Sequence, residues 1–309
     1  MYTNNLVIGL LGPTASGKTD LACKLAEIYP IDIISVDSSM IYKGLDIGTA
    51  KPSKGIQQLY PHKLIDIRVV TDIYSVGEFI KDVLHEIRQS LANNRLPLLV
   101  GGTMMYFNAL QNGIAALPEA NSVIRQEILK RSLRHGWVAL HAELESFDKE
   151  SFQRIKPTDH QRIQRAHEVY ILTQRPLSSF KASTPEYEFK LELLGLMPED
   201  RNELHVKIAN RFKDMLSQGL IAEVEGFFNR EDISLELPAM RSVGYRQVWE
   251  YLEGKASHTE MLEQAIYATR QLAKRQYTWL RNWEDIQILS EPYLIMEFVK
   301  KLTSRYELT

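Results

Sequence analysis

The sequence predicts an α/β protein whose doubly wound, mostly parallel sheet carries helices on both faces. Two observations predict this class: short apolar runs alternate with amphipathic stretches over the first hundred residues, and a glycine-rich loop follows the first run. The alternation stops near Pro118 and resumes near Phe189, which predicts a mostly helical insertion. We therefore expect a core domain of residues 1–118 and 189–309, which contains the glycine-rich loop, and an inserted helical domain of residues 119–188.

The first hundred residues contain four runs with the length and composition of buried parallel strands. These runs are Leu6–Leu11, Ile31–Val36, Leu64–Ile67 and Pro97–Val100. Between them, two segments place apolar residues three and four positions apart, as helices packed on a sheet do: Thr19–Ile28 and Val76–Leu91.

Helical spacing continues through the insertion. Ile124–Leu133 and Val138–Phe147 predict two helices on either side of Gly136, and Asp159 is the expected N-cap of a third that ends before Pro176. After the insertion, we expect a strand at Phe189–Met197, helices at Asn202–Leu216, Ser242–Leu252 and Thr259–Trp283, and a last strand at Ile286–Leu289.

Composition limits the functional classes. With 309 residues, 44% of them hydrophobic, and a net charge of -2, the chain is neither disordered nor collagen-like, and no global positive field recruits nucleic acid or a membrane. A single cysteine, Cys23, excludes an intramolecular disulfide and a multi-thiolate zinc cluster, which indicates a reducing compartment, the cytoplasm. The early apolar run Leu6–Leu11 is too short to span a membrane, so we expect no membrane association.

The loop after the first predicted strand has the pattern G-x-x-x-x-G-K-[ST] and precedes an amphipathic helix. Glycines allow backbone N–H groups and the positive end of the helix dipole to point at phosphate oxygens, and the lysine adds a full charge. The alternative is a tight glycine turn without a ligand. We expect diphosphate to bind at Gly12, Pro13, Thr14, Ala15, Ser16, Gly17, Lys18 and Thr19, with Mg²⁺ as a cofactor on the Thr19 hydroxyl.

No acidic residue follows the strand Pro97–Val100, where P-loop proteins usually place a carboxylate over the metal, because Gly101, Gly102 and Thr103 stand there. Asp37, directly after Ile31–Val36, is the nearest substitute. Residues just past the carboxyl ends of parallel strands line the ligand crevice of a doubly wound sheet, so Asp37 is expected to face the loop. The alternative for Asp37 is a turn or N-cap residue.

Six segments, in order along the chain, resemble the tRNA dimethylallyltransferases. They are Gly12–Thr19, Asp37–Pro52, Val100–Tyr106, Asp159–Tyr170, Arg241–Arg246 and Thr269–Arg281. The resemblance implies transfer of a dimethylallyl group from dimethylallyl diphosphate to N6 of the adenosine just 3′ of the tRNA anticodon, position 37. It also implies that the loop holds an isoprenoid diphosphate and not ATP.

The implied chemistry gives three residues catalytic roles. Asp37 is the expected general base, because the exocyclic amine of adenine attacks only as its proton leaves. By family analogy, Thr103 orients that amine and Arg211 stabilises the departing diphosphate. The alternatives are a helix N-cap for Thr103 and a solvated helix face for Arg211.

The acceptor base must leave its stack in the anticodon loop, so an RNA-binding surface is required. Arg270, Lys274, Tyr277 and Arg281 share one stripe of the last long helix, whereas Trp279 is expected in the core. Two further basic patches are formed by Arg162 with Arg165 and by Arg241 with Arg246. Each of the three patches, taken singly, could be a solvated face. With the resemblance, we expect tRNA contacts at Asp37, Ser38, Ser39, Met40, Thr103, Arg125, Gln161, Arg162, Ile163, Gln164, Arg165, Arg241, Ser242, Val243, Gly244, Tyr245, Arg246, Lys274, Arg275, Gln276, Tyr277, Thr278, Trp279, Leu280 and Arg281.

Three other functions compete with this interpretation. The main alternative is a small-molecule or nucleotide kinase of the P-loop class with Asp37 as base toward a hydroxyl acceptor. An RNA-binding ATPase and a non-catalytic RNA-binding module are weaker, the latter because binding alone needs no phosphate loop. We expect a monomer whose partners are dimethylallyl diphosphate and the anticodon stem-loop of tRNA.

Overall fold

The computed structural model describes residues 5–306, which contain one six-stranded sheet. Its strands are β1 (Leu6–Leu11), β2 (Ile31–Val36), β3 (His62–Lys63), β4 (Leu96–Gly101), β5 (Lys190–Leu196) and β6 (Gln287–Leu289). They lie in the order β3-β2-β4-β1-β5-β6, and every neighbouring pair is parallel. The predicted fold class, a doubly wound parallel sheet, is confirmed.

Thirteen α-helices lie within residues 5–306. They are α1 (Lys18–Ile28), α2 (Lys54–Leu59), α3 (Val76–Ala92), α4 (Met104–Asn112), α5 (Ser122–His135), α6 (Trp137–Phe147), α7 (Lys149–Arg154), α8 (His160–Thr173), α9 (Arg201–Ser217), α10 (Leu220–Phe228), α11 (Tyr245–Leu252), α12 (His258–Arg281) and α13 (Pro292–Arg305). In the described part of the chain, none of them is long and apolar enough to cross a membrane.

Helices cover both faces of the sheet. On one face, α1 and α13 contribute Leu25 and Val299 to a core cluster with alternate residues of the central strands. On the other face, Gly9 of β1 lies against Phe107 of α4, and Gly195 of β5 lies against Leu280 of α12. Side chains on a strand alternate between faces, so the near-continuous apolar runs of the central strands are explained by helices on both sides.

The register aligns the strand ends that carry the candidate site. Leu11 of β1 and Val36 of β2 both pair with Gly101 of β4, so the three strands end at the same level. The residues that follow them, including Gly12 and Asp37, therefore meet at the carboxyl edge of the sheet.

The chain divides into two compact units. The first runs to Ala109 and resumes at Glu186, and it contains the sheet. The second comprises Leu110–Pro185. The bounds expected from the sequence for the insertion were residues 119–188.

The second unit is helical and has its own core. Leu140, Leu144, Ile128 and Ile163 are fully buried in one apolar cluster. Asp159 caps α8 as expected, since its carboxylate accepts a hydrogen bond from the Arg162 backbone N–H. Both ends of the unit's chain lie together, because Ala115 and Ala182 form an antiparallel β-bridge.

The strand predicted at Leu64–Ile67 is wrong: β3 is His62–Lys63 only. Leu64 and Asp66 have φ angles of 61° and 57° in the left-handed region, which no strand can accommodate. Asp66 is held in this turn by Lys51, whose Nζ lies 2.7 Å from its carboxylate.

Four of the described helices were not predicted, namely α2, α7, α10 and α13, and α4 was implied only by the alternative of a helix N-cap for Thr103. Two of them, α2 and α7, have six residues each, too few for a periodic pattern. The predicted helix Ser242–Leu252 begins only at Tyr245, because Gly244 has a positive φ of 96°.

Candidate active site

The loop between β1 and α1 forms a cradle open to an anion. Ala15 and Gly17 have left-handed φ angles of 63° and 85°, and no side chain caps the start of α1. The first N–H groups of the helix are therefore available to a ligand. Gly12 cannot carry a side chain, because a Cβ atom there would lie 2.6 Å from the Leu196 carbonyl oxygen.

Lys18 places its ammonium group inside the cradle. Its Nζ donates a hydrogen bond of 2.6 Å to the Pro13 carbonyl oxygen and lies 3.4 Å from Ser16 Oγ. The pKa of Lys18 is lowered to about 7, first by burial and then by the nearby Arg211 guanidinium, while the Asp37 carboxylate acts in the opposite direction. A bound polyanion would favour the protonated form.

Arg211 on α9 completes the positive wall of the cradle. Its Nη2 donates a hydrogen bond to Thr14 Oγ1, so α9 contacts the phosphate loop directly. Burial lowers the pKa of Arg211, and the Asp37 carboxylate raises it. The solvated helix face that was the alternative for Arg211 does not describe this half-buried side chain.

Asp37 lies at the end of β2 with one carboxylate oxygen engaged and one open. Its Oδ1 accepts hydrogen bonds from the backbone N–H groups of Ser39 (2.8 Å) and Met40 (3.0 Å). Within residues 5–306, no donor contacts Oδ2. Asp37 is thus a turn residue, as the alternative proposed, and it also presents a free oxygen to a ligand.

Thr103 follows β4 and lies beside the turn after β2 that contains Asp37. Its Oγ1 accepts a hydrogen bond of 3.2 Å from the Ser38 N–H, and α4 begins at the next residue. A side chain on Gly101 would overlap the backbone of Val36, so glycine is required where β4 passes β2. This close approach brings Thr103 to the turn that holds Asp37.

A cavity of about 1050 Å³ is lined by residues 14–19 of the phosphate loop, Asp37, Gly102 and Arg211. The phosphate loop and Asp37 line its polar side. Its apolar wall consists of Ile208, Phe212, Met215, Val243 and Leu272. A cavity lined by both charged and apolar side chains suits an amphiphilic ligand.

Charged side chains, of which Lys51 is buried, hold the loop that follows Asp37. Lys51 contacts Asp46 and Asp66 at 2.6 and 2.7 Å. The Glu223 carboxylate of α10 accepts hydrogen bonds from successive backbone N–H groups, including that of Ile47 at 2.7 Å, and from the Tyr245 hydroxyl. Tyr245 is fully buried, which is incompatible with the tRNA contact expected of it.

The exposed face of α12 differs from the stripe that the sequence predicted. Tyr277 is buried, with its hydroxyl donating to the Pro198 carbonyl oxygen at 2.6 Å, and Gln276 and Leu280 are buried too. Trp279, expected in the core, is 43% exposed. The tRNA contacts expected of Gln276, Tyr277 and Leu280 are therefore corrected, and the exposed face comprises Lys274, Arg275, Thr278, Trp279 and Arg281.

In the helical unit, a buried carboxylate binds two arginine side chains. Both oxygens of Glu168 bind Arg125, at 2.9 and 3.1 Å, and one also binds Arg165 at 2.6 Å. Arg165 additionally donates to the Pro118 carbonyl oxygen, so its guanidinium has a structural role and is not free for RNA. Ile163 is fully buried and cannot contact RNA directly.

The other expected RNA contacts of this unit are more accessible. Gln161 and Arg162 are exposed at the start of α8. Gln164 is half-buried, and its Nε2 donates a hydrogen bond of 3.1 Å to the Arg125 carbonyl oxygen. Of the contacts expected on α8, Gln161 and Arg162 are thus the exposed ones, and Arg162 Nε lies 3.5 Å from the Asp159 carboxylate.

The patch before α11 is divided between surface and cavity. Arg241 and Arg246 are exposed and pair with Glu236 and Glu250 at 2.6 and 2.9 Å, contacts that contribute little in water. Ser242 Oγ lies 2.9 Å from Ser39 Oγ. Ser242 and Val243, which line the cavity, thus belong to the site that contains Asp37.

Sequence reasoning missed two parts of the site. The apolar wall was not predicted, although Lys207, Arg211 and Met215 recur at a spacing of four, which places them on one face of α9. Helix α13 contributes Pro292, Tyr293 and Met296 to the cavity, and no sequence motif indicated this.

Comparisons with known proteins identify the family of the chain. The sequence model of the family described as IPP transferase matches residues 40–283. A Coxiella burnetii protein named tRNA dimethylallyltransferase is 49% identical over 287 residues, which cover 92% of each chain. A Hahella chejuensis protein named tRNA dimethylallyltransferase 2 is 50% identical over 296 residues, covering 91% of this chain and 89% of the other.

Solved structures of two other proteins are similar to this fold. The full-length tRNA isopentenylpyrophosphate transferase from Bacillus halodurans has a TM-score of 0.71 and 29% identity over 98% of both chains. A eukaryotic dimethylallyltransferase acting on tRNA shares the fold, with a TM-score of 0.76 and 22% identity over 93% of this chain and 74% of the other. The chain is a transferase that belongs to the IPP transferase family, the family of the tRNA dimethylallyltransferases.

Proposed function

We propose that the protein transfers a dimethylallyl group from dimethylallyl diphosphate to N6 of adenosine 37 of tRNA, giving N6-isopentenyladenosine and diphosphate. The observation that carries this proposal is a single cavity that joins a phosphate loop, an apolar wall and a carboxylate with a free oxygen. The relatives named tRNA dimethylallyltransferase support the substrate pair.

The donor fits the polarity of the cavity. The diphosphate would occupy the cradle, against Lys18, Arg211 and the N–H groups at the start of α1, while the five-carbon chain would lie on Phe212 and Met215. As the bond between C1 and the diphosphate oxygen breaks, negative charge grows on the leaving group. Cations already fixed around that group lower the barrier, because they need no rearrangement during the reaction.

Mg²⁺ is the proposed cofactor, and the donor set fits it. The Thr19 side chain lines the cavity beside the cradle, and magnesium prefers oxygen ligands. Among the residues that the structure describes, no three His, Cys, Asp or Glu side chains form a metal site, so phosphate oxygens and water would complete the coordination. When bound, the ion would supply positive charge to the diphosphate.

The acceptor adenine would enter beside Asp37 and Thr103. Asp37 Oδ2 is open and would accept the proton that N6 loses as the carbon–nitrogen bond forms. The Thr103 hydroxyl, already bonded to the Ser38 N–H, would donate its own proton to the base and orient it. Because adenine N6 is almost non-basic, this proton removal is what makes it a nucleophile.

The anticodon stem-loop is the proposed RNA partner. On α12, Lys274, Arg275 and Arg281 are exposed together with Trp279, a combination that suits phosphate contacts and base stacking. Arg162 and Gln161 would contribute from the helical unit. We propose that the protein is a monomer and that it acts in the cytoplasm, a reducing compartment in which Cys23 stays a free thiol.

The direct test is incubation with labelled dimethylallyl diphosphate, Mg²⁺ and unmodified tRNA, followed by digestion and nucleoside analysis. We expect label in N6-isopentenyladenosine from position 37, and none with a tRNA that carries another base there. Label elsewhere in the RNA, or none at all, would contradict the proposal.

Ligand protection separates this function from the alternative kinase. Dimethylallyl diphosphate with Mg²⁺ should raise the melting temperature in proportion to the logarithm of its concentration over its Kd. A kinase would instead require ATP together with a hydroxyl acceptor, and would release ADP. The apolar wall beside the cradle favours the isoprenoid donor.

A further inference from the structure

Gln276 lies on the buried face of α12 and uses both ends of its side-chain amide. Its Oε1 accepts a hydrogen bond of 2.9 Å from the Thr14 N–H, and its Nε2 donates one of 2.9 Å to the Gly102 carbonyl oxygen. The residue is 6% exposed. One side chain thus joins the phosphate loop to the end of β4.

The bond to Thr14 controls a peptide group that also binds Lys18. In a trans peptide, the C=O and N–H groups point in opposite directions. The Pro13–Thr14 peptide offers its N–H to Gln276 and its carbonyl oxygen to Lys18 Nζ at 2.6 Å. Gln276 and Lys18 therefore hold the same peptide plane from opposite sides.

The packing of the loop tip also involves α12. Ala15 packs against an apolar cluster that includes Ile208 of α9 and Ala273 and Tyr277 of α12. Ala273 and Tyr277 lie on the same helix as Gln276, three positions before it and one after it. The conformation of the phosphate loop thus depends on α12 through both packing and hydrogen bonding.

We propose that Gln276 is a positioning residue of the donor site, which fixes the orientation of the Pro13–Thr14 peptide and its distance from the end of β4. Through that peptide it sets where Lys18 lies in the cradle, and through Gly102 it sets the cradle beside Thr103 and Asp37. This inference rests on the proposed function. It differs from the tRNA contact that the resemblance implies for Gln276.

The chemistry of the side chain explains why glutamine stands at this position. Glutamate could accept from the Thr14 N–H but could not donate to the Gly102 carbonyl oxygen. Asparagine is one methylene shorter and could not reach both groups. A Cβ atom on Gly102 would overlap Gln276 Nε2, so a side chain at this position would displace the amide.

The first variant is Gln276→Met, which keeps the length and removes both hydrogen bonds. We expect the Kd for inorganic diphosphate and for dimethylallyl diphosphate with Mg²⁺ to rise about tenfold, the effect of roughly 1.4 kcal/mol from the removal of two hydrogen bonds. The Kd for an anticodon stem-loop RNA should stay within about twofold, and the donor KM should rise more than kcat falls. Gln264→Met, an exposed position on the same helix, is the matched control.

The second variant is Gly102→Ala, whose added methyl group would displace the Gln276 side-chain amide. The sequence of α12 stays unchanged in this variant. It should reproduce the weaker donor binding with normal RNA binding. Since both changes break one connection, the double variant should bind donor no more weakly than Gln276→Met alone.

The possible results of these measurements distinguish a positioning role of Gln276 from an RNA contact. Loss of RNA affinity with normal donor affinity in Gln276→Met would make Gln276 an RNA contact and overturn the inference. If that variant fails to fold, unchanged donor affinity in Gly102→Ala overturns it, and a tenfold loss supports it. Failure of the unaltered protein to bind either diphosphate would contradict the proposed function instead.

Discussion

At the scale of single residues, the cavity sets a buried cation and a carboxylate near each other without pairing them. Lys18 donates to a backbone carbonyl, and Asp37 accepts from backbone N–H groups. Each group keeps some hydrogen-bonding capacity for a substrate. The Lys18 ammonium can still bind a diphosphate, and Asp37 Oδ2 can still accept a proton. An ion pair between them would neutralise both groups before substrate arrived.

Asp37→Asn should reduce transfer by about 10² to 10⁴-fold, because the amide cannot take the N6 proton. Asparagine retains an oxygen for the Ser39 and Met40 N–H groups, so the turn should persist and RNA affinity should not change. The measurement is single-turnover transfer with saturating tRNA, beside RNA binding by the same protein. Asp232→Asn, on an exposed surface pair, is the control, and full activity in Asp37→Asn would eliminate Asp37 as the base.

Donor affinity should fall as pH rises above 7. Burial lowers the pKa of Lys18 to about 7, so the free protein loses this charge through that range, while bound diphosphate favours the protonated form. Binding above pH 7 should therefore take up a proton, and log Kd should rise by up to about one unit per pH unit. Calorimetry in buffers of different ionisation enthalpy measures this uptake.

Lys18→Arg is the matched variant for the pH experiment, since arginine keeps its charge throughout the range. Its log Kd for diphosphate should be nearly flat between pH 7 and 9, whatever its absolute affinity. An equal slope in the unaltered protein and the variant would assign the titration to another group.

At the scale of elements, the two faces of α12 have different surroundings. Its buried face holds Gln276 against the phosphate loop and Tyr277 against Pro198, and its exposed face carries Lys274, Arg275 and Arg281. Arg281 also lies over the Tyr277 ring, 5.8 Å from its centroid. A helix that packs along one stripe necessarily presents the rest of its surface to solvent or a partner.

Lys274→Ala and Arg281→Ala should each raise the tRNA KM without changing donor affinity. Removing one cation that binds an RNA phosphate should flatten the plot of log K against log salt by about 0.7 to 0.9. RNA binding measured over a series of salt concentrations checks this, with the exposed Lys300→Ala on α13 as the control. An unchanged slope in both variants would show that this face is merely solvated.

At the scale of the whole molecule, the two units divide the candidate functions. Lys18, Asp37, Thr103 and Arg211 belong to the unit that contains the sheet, and the helical unit Leu110–Pro185 carries Arg162. The helical unit has its own buried cluster and its own charged centre at Glu168. Its core therefore does not require side chains of the donor site.

Replacing residues 116–181 by a short Gly/Ser linker should leave the donor site intact. The bridge between Ala115 and Ala182 brings the cut ends together, so the linker need span only a few ångströms. The shortened protein should still gain thermal stability from dimethylallyl diphosphate with Mg²⁺, yet bind the anticodon stem-loop weakly and transfer little. A soluble variant with undiminished tRNA affinity would refute this division.

Local signals in the sequence determined the strands β1 and β2, the phosphate loop, and the start of α1. An apolar run bounded by glycine needs no distant partner to be recognised, and the loop pattern specifies both its conformation and its ligand class. Asp37 could also be predicted, because its position after β2 places it at the sheet edge in any parallel sheet.

Tertiary structure alone decided which faces and turns became parts of the site. Leu64–Ile67 has the pattern of a strand, but the contact between Lys51 and Asp66 holds a left-handed turn there. Gln276, Tyr277 and Trp279 have one periodic pattern, yet packing on α9 and the phosphate loop buries the first two and exposes the third. Their environment depends on residues distant in sequence, and helical periodicity cannot show which neighbours will cover a side chain.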